Sequence, residues 1–297
     1  MKQQFKSAFT VDVEDGISGA MRDVFNTKVE QTDRVVRCTS EILDLCAECD
    51  VKGTFFILGE VAEDFPQLIK DIAGAGHELG IHGYHHKQFF RMTKEEAYEE
   101  LSSAKKLIED LSGMKVEGHR APAFSVMPET EWALDVIADT GFTYDSSIMP
   151  CKGKRYGWPG FSKDIGYIKT PNGKKLVEVP MTTTSFLGRE TPVAGGGYLR
   201  LFPLNFTKRA FESTIENRPA IIYMHPYEVD TEKYPAYYFD ALNKVGFQKR
   251  WNMKSKWWNR KTVYPKLKEL LSTYEFDTLE TIIKERMPLF NKRTDNS

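Results

Sequence analysis

No run in the sequence approaches the roughly 18 apolar residues that a membrane-spanning helix needs. The opening stretch, MKQQFKSAFTVDVED, meets acidic residues before any apolar run long enough for a signal peptide. Together these absences lead us to expect a cytoplasmic protein without a membrane span. Cysteine is scarce: Cys38, Cys46, Cys49 and Cys151 are the only four in 297 residues, and they fit reduced thiols better than a disulfide framework. Cys46 and Cys49 form a C-x-x-C, but it has no second pair and lies late in an amphipathic segment, which disfavours structural zinc there. An excess of either charge is missing too. With 41 basic and 42 acidic residues the net charge is −1, so there is no global electrostatic reason to expect a nucleic-acid partner. One local exception is FQKRWNMKSKWWNRKTVYPK, where Lys and Arg interleave with Trp251, Trp257 and Trp258. Its ordinary reading is a solvated face with the aromatics packed underneath; the other is a sugar-stacking or anionic-substrate surface.

What is present is enough to build a large core, since 41% of the residues are hydrophobic and 12% aromatic. The apolar patterns alternate in type along the chain. QQFKSAFTVDV reads as a buried strand ending in acids, and Val35, Val36, Ile42, Leu45 and Cys46 recur near helical spacing. GTFFILG and HELGIHG read as strands, separated by a helix that Gly74 and Gly76 stop. TKEEAYEELSSAKKLIEDLSG is a helix closed by glycine. Short strands follow near Val116, Phe142, Leu176 and Ile221, with helices at Glu129–Thr140 and Asn205–Glu216. Cys151–Asn172 and Phe186–Leu201 look like insertion loops. This alternation predicts an α/β protein with a mainly parallel sheet, of seven or eight units, curled into a closed or distorted barrel. In such a barrel, chemistry sits at the C-terminal ends of the strands.

Histidine is also rare, with six in all, yet His77, His82, His85 and His86 crowd into HELGIHGYHH. If Gly83 lets the chain leave the strand, His82 and His86 can converge on one ion, to which such sites commonly add a carboxylate. His85 would point elsewhere, and His77, at the far end of the strand, would be structural. FTVDVED supplies candidate carboxylates. The two-residue alternation of a strand puts Asp12 and Glu14 on one face, so one could bind metal while the other takes a proton. In EGHRAPAF, a rigid turn after a strand would aim Arg120 inward to pair with Asp12. IIYMHPYE puts His225 at the end of a very apolar strand, where an imidazole can donate a proton near neutral pH. YDSS offers Asp145 as a partner for that imidazole. Each of these residues also has an ordinary reading, as a strand end in solvent, a surface arginine or a satisfied rim histidine.

The ordered set VDVED, HGYHH, RAP, YDSS and YMHP resembles the motifs of the polysaccharide deacetylases, the NodB-homology group of carbohydrate esterases. The resemblance covers roughly Phe5 to Glu228. More loosely, the tail from Trp251 resembles the C-terminal extension of an exopolysaccharide and capsule subgroup. It implies a distorted (β/α) barrel of about seven parallel strands over residues 1–230, with 231–297 a helical extension packed on the same domain. It also implies hydrolysis of an N-acyl, first of all N-acetyl, group from an amino sugar of a surface polysaccharide or its precursor. One divalent ion is implied, zinc first, with Co, Fe, Ni or Mn as alternatives, held by His82, His86 and a carboxylate. Asp12 would then be the base, oriented by Arg120, and His225, supported by Asp145, the acid. Backbone N–H groups near Ala123 and Phe124 could help hold an oxyanion.

Two departures stand out. The acidic motif is stretched to DVED, which leaves the metal carboxylate open: alternation favours Glu14, with Asp15 steadying a histidine N–H, whereas the family's short aspartate favours Asp15. Gly83 also stands where the family usually has Ser or Thr. Rival readings are deformylation or cyclic-amide opening on the same fold, a non-haem iron oxygenase using the two histidines and one carboxylate, and an inactive saccharide-binding module stacking sugars on Trp158, Trp257 and Trp258. The oxygenase needs no acid and base such as His225 and Asp12, which weighs against it.

Overall fold

The computed structural model describes residues 5–153, 156–193 and 195–294. Lys154 and Arg155 in the first expected insertion, Ala194 in the second, and residues 295–297 of the expected extension lie outside the described residues. A nine-stranded sheet organises the molecule. In chain order its strands are β1 (Ser7–Val13), β2 (Thr54–Ile57), β3 (Glu78–Ile81), β4 (Gly118–His119), β5 (Tyr144–Asp145), β6 (Gly166–Lys169) and β7 (Lys175–Glu178), with β10 (Ile221–Met224) and β11 (Phe276–Asp277). A separate hairpin pairs β8 (Thr183–Phe186) with β9 (Arg189–Pro192).

The spatial order is β10-β1-β2-β3-β4-β5-β7-β6, with β11 beside the start of β1. Every pairing is parallel except β6 with β7. The chain is therefore an α/β protein with a curled, mostly parallel sheet, as its alternating pattern predicts. β1 pairs with β10, β2 and β11, and all seven of its residues are buried.

The expected helices form, although Val36 is only half-buried and Glu129–Thr140 is a short turn, Pro128–Thr130, followed by the helix Ala133–Asp139. Arg34–Glu48 buries Val35, Cys38, Ile42, Leu45 and Cys46 against the sheet. Lys94–Ser112 opens with a reciprocal capping box between Thr93 and Glu96 and closes on Gly113 at φ 68°. All four cysteines are free thiols. The segment Phe186–Leu201 is more ordered than a loop, because it takes in β9 and the short helix Gly197–Leu201. Beyond Glu228, helices Ala236–Lys244 and Phe247–Ser255 pack with helix Gly16–Asp23, Val263–Thr273 joins the main core, and Leu279–Thr294 lies against β1, with β11 between the last two. No helix among the described residues is long and apolar enough to cross a membrane.

Candidate active site

The strands deliver their polar side chains to one end. Asp12 and Glu14 lie at the C-terminal end of β1, His82 directly after β3, Arg120 after β4, and His225 after β10. Asp12 Oδ1 accepts a hydrogen bond from Arg120 Nη1 at 2.8 Å. Arg120 is wholly buried, lies 4.2 Å over the Phe56 ring, and also donates to Thr10 Oγ1, Ser146 O and Ser146 Oγ. A guanidinium held this firmly fixes the carboxylate it pairs with. Burial pushes the Asp12 pKa up, but Arg120, His82 and His225 outweigh it and hold the group below its ordinary value.

Glu14, His82 and His86 each bring a ligand atom to within 4.8 Å of the others. Gly83 makes this possible: it sits at φ 80°, which glycine adopts without steric cost, so the chain turns directly after His82. A serine or threonine would be strained there. His86 itself has φ 55°, and Ala123 and Phe124, across the site, have φ 55° and 52°. Such left-handed backbone costs of order 1–3 kcal/mol per residue and is found clustered at functional sites.

The donor set suits a divalent metal ion. His82 Nδ1 lies 2.8 Å from the Arg120 carbonyl, which can only accept, so Nδ1 carries the proton and Nε2 keeps its lone pair. Burial lowers the His82 pKa to about 4, with Asp12 pulling the other way, so the ring is neutral. Glu14 Oε2 is 3.1 Å from His86 Nε2, and Oε1 is 3.3 Å from His225 Nε2. Burial raises the Glu14 pKa, yet His86, His225 and His82 together bring it below its ordinary value. Asp23 Oδ2 lies 3.4 Å from His86 Nδ1, where a carboxylate would fix the ring's orientation.

His225 faces both carboxylates of β1. Its Nε2 is 4.0 Å from Asp12 Oδ2, and its ring stacks on Tyr227 at 4.8 Å between centroids. Glu228 Oε1 lies 3.5 Å from its Nδ1. Burial works against the charged imidazole, but Glu228, Glu14 and Asp12 raise its pKa to about 9, so it holds a proton to donate at neutral pH.

Three expectations are corrected. Asp145 does not support His225. In register it lies between His119 and Glu178, and those three share one face of the sheet. It binds His119 Nδ1 and Ser147 Oγ, both at 2.7 Å, and is fully buried. Glu228, three residues after His225, stands where Asp145 was expected; its spacing in HPYE was a legible signal. Asp15 is not among the converging groups either. It caps the helix Gly16–Asp23, accepting from the backbone N–H of Ile17 at 2.8 Å and of Thr32 at 2.5 Å, so both its oxygens are engaged. The residue beside a histidine N–H is Asp23, one helix further on, which the sequence did not mark. Finally, the Phe124 N–H donates to the Ala121 carbonyl at 3.0 Å and so has no proton to offer an oxyanion.

The remaining histidines fall as expected from their positions. His85 is exposed and pairs with Glu100 at 2.8 Å, while buried His77 accepts from the Gly53 N–H at 3.1 Å. Trp158 packs against Phe161, and Trp257 against Tyr234, and both are half-buried.

Comparison with known proteins gives a family likeness for part of the chain. The family model of polysaccharide deacetylases matches residues 29–144. Over that segment the chain is similar to the polysaccharide deacetylases. A model described as a domain of unknown function, DUF3473, matches residues 146–284, as fits the exopolysaccharide-type subgroup. The chain is 33% identical over 98 residues to the peptidoglycan-N-acetylglucosamine deacetylase of Bacillus cereus, covering 33% of this chain and 36% of that one. It is 33% identical over 108 residues to the peptidoglycan deacetylase of Helicobacter pylori, covering 36% of each. These alignments span little more than a third of either relative. A crystal structure from Mycobacterium smegmatis, of a protein placed among the polysaccharide deacetylases, superposes with TM-score 0.62 at 20% identity, covering 99% of this chain and 92% of that one. It shares the fold. The segment matched by the deacetylase model holds His82, His86 and Arg120, whereas Asp12 and Glu14 precede it and His225 and Glu228 fall in the second match.

Proposed function

We propose that the protein is a metal-dependent hydrolase that removes an N-acyl group, first of all acetyl, from an amino sugar of a surface polysaccharide or its precursor. The observation that carries this reading is the convergence of Glu14, His82 and His86 beside an Arg120-bound Asp12 and His225. The likeness to deacetylases named for peptidoglycan N-acetylglucosamine supports the reaction class. Glu14, His82 and His86 would hold the ion, zinc being the metal that best suits two imidazoles and a carboxylate with positions left open. When bound, such an ion acts as a Lewis acid and lowers the pKa of water.

Every other role falls to side chains of this chain. Asp12 is ionised and immobilised by Arg120, so its Oδ2, which faces the cleft, takes the proton of the attacking water. His225 gives its Nε2 proton to the departing amine, and Glu228 behind it holds the ring and stabilises its charge. The products are a carboxylic acid and a free amino sugar. An oxidative use of the same two histidines and carboxylate would leave both Asp12 and His225 without a task.

Mass spectrometry of N-acetylated oligosaccharides, incubated with chelated and then metal-reloaded protein, tests the proposal. Loss of one acetyl group per sugar, seen only after reloading, is expected. Loss that is indifferent to chelation, or oxygen consumption in its place, would overturn it.

A further inference from the structure

Between Asp240 and Glu269 the chain has nine basic residues and no acidic one. Elsewhere the charges nearly cancel, so this segment concentrates positive charge on one stretch of surface. Lys244, Lys249, Lys254, Lys256 and Lys261 are all exposed, and no carboxylate lies within ion-pair distance of any of them among the described residues. Large apolar side chains stand among them. Phe247 is 81% exposed, and Trp251 and Trp258 are each 65% exposed. Phe247 and Trp251 are one helical turn apart on Phe247–Ser255, so they share its outward face, while Met253 on the opposite face is buried. The ordinary reading of this segment, aromatics packed beneath a solvated face, therefore holds for Trp257 alone.

The segment is held firmly from below. Trp257 packs on Tyr234 with 4.1 Å between ring centroids, and buried Arg260 lies 4.3 Å over Trp257. The Lys256 carbonyl accepts from the guanidinium groups of both Arg200 and Arg260. Protruding aromatics on a fixed support are not poorly packed core; they are a surface that meets something apolar. Arg260, which donates to the Lys256 carbonyl, also lies 5.8 Å over the ring of Tyr227, and Tyr227 stacks on His225, so the patch borders the active site.

We propose that this face docks the protein on an anionic lipid surface, with Phe247, Trp251 and Trp258 entering the interface and the lysines pairing with lipid phosphates. The charge decides in favour of lipid. Five unpaired cations around three apolar anchors match the two components of an anionic bilayer surface, a sheet of negative headgroups over hydrocarbon. A glycan-stacking platform usually sets its aromatics beside carboxylates, whereas the exposed side chains here that could accept from hydroxyls are amides such as those of Gln248, Asn252 and Asn259, against five lysines. Docked in this way, the cleft opens at headgroup level, where it meets a saccharide attached to a membrane component.

Co-sedimentation of the full chain with vesicles of phosphatidylglycerol and phosphatidylcholine, against phosphatidylcholine alone, tests the proposal. Binding only to the anionic vesicles is expected, weakened by salt, with Trp emission shifting to the blue. Phe247→Ser with Trp251→Ser should lower partitioning roughly tenfold or more. Lys249→Gln and Lys254→Gln should each lower it about fivefold. All these side chains are exposed, so thermal melting of the variants should match the parent; Trp258→Ser replaces any variant that does not fold. Equal binding to both vesicle types, or variants that bind as the parent does, would overturn the proposal. So would retention of a soluble acidic polysaccharide with no vesicle binding, which would assign the patch to a glycan.

Discussion

The two ends of the sheet bury similar residues to opposite purposes. At the N-terminal ends of the strands, Glu78 accepts hydrogen bonds from Thr54 Oγ1 and Tyr144 Oη, both at 2.6 Å, and from the Glu280 N–H at 3.0 Å. His77 accepts from Gly53. Every contact there is with the protein itself, and Glu78 ties the start of the final helix to the strands. At the C-terminal ends, Glu14, His82 and His86 aim ligand atoms at a common point. A carboxylate closed off by its own fold contributes stability; one left pointing at its neighbours is available for chemistry. The polarity of a parallel sheet decides which end is which, because its strands all finish, and its loops all begin, on one side.

That contrast can be broken by mutation. The largest effects should come from the converging groups. Glu14→Gln and His82→Ala should each lose bound metal, measured by elemental analysis of purified protein, and lose turnover with it, while the melting temperature of the chelated protein changes little. Stoichiometric metal in His82→Ala would remove that residue from the ligand set. Next, Asp12→Asn and His225→Ala should keep the metal yet lower turnover by about 10²–10⁴-fold. Near-normal rates in either variant would strike it from the mechanism.

At the opposite end the readout changes from activity to stability. Glu78→Ala should leave metal content unaltered and destabilise the fold by about 2–4 kcal/mol, since it strands three buried donors. Denaturant titration measures this, and a loss of metal without a loss of stability would contradict the division between the two ends. The smallest effect concerns pH. Burial lowers the His77 pKa to about 4, from 6.5 in an unfolded chain. Its folded form is therefore neutral, and the stability it contributes is complete above pH 6.5 and lost as pH falls towards 4. The difference corresponds to at most about 3 kcal/mol. His77→Gln should flatten the fall in stability across that window, and an unchanged slope would show that other groups govern it.

The candidate site was legible wherever local pattern alone places a side chain. Asp12 and Glu14 follow from strand alternation, and His82 with His86 from a strand end followed by a glycine that can turn. Capping was less legible: Asp15 is two residues before Ile17 at the start of a helix, a position that favours an N-cap over a ligand, and the acidic run DVED masked it. Asp145 shows a different limit. Its partner depends on which strands lie beside β5, and those are β4 and β7, which set His119 and Glu178 against it. His225 belongs to β10, at the far side of β1, so its neighbours come from β1 and from its own loop.

By itself the sequence determined the alternation of strands and helices, the end of the sheet that carries the chemistry, and most of the residues gathered there. Those follow from side-chain periodicity and turn chemistry, which act over a few residues. Only the tertiary structure decided that Glu228 rather than Asp145 lies beside His225, and that Trp251 and Trp258 face outward while Trp257 packs inward. Each of these turns on the order of strands in the sheet or on the seating of a distant helix. Contacts between residues far apart in the chain are set by packing of the whole, and no local period encodes them.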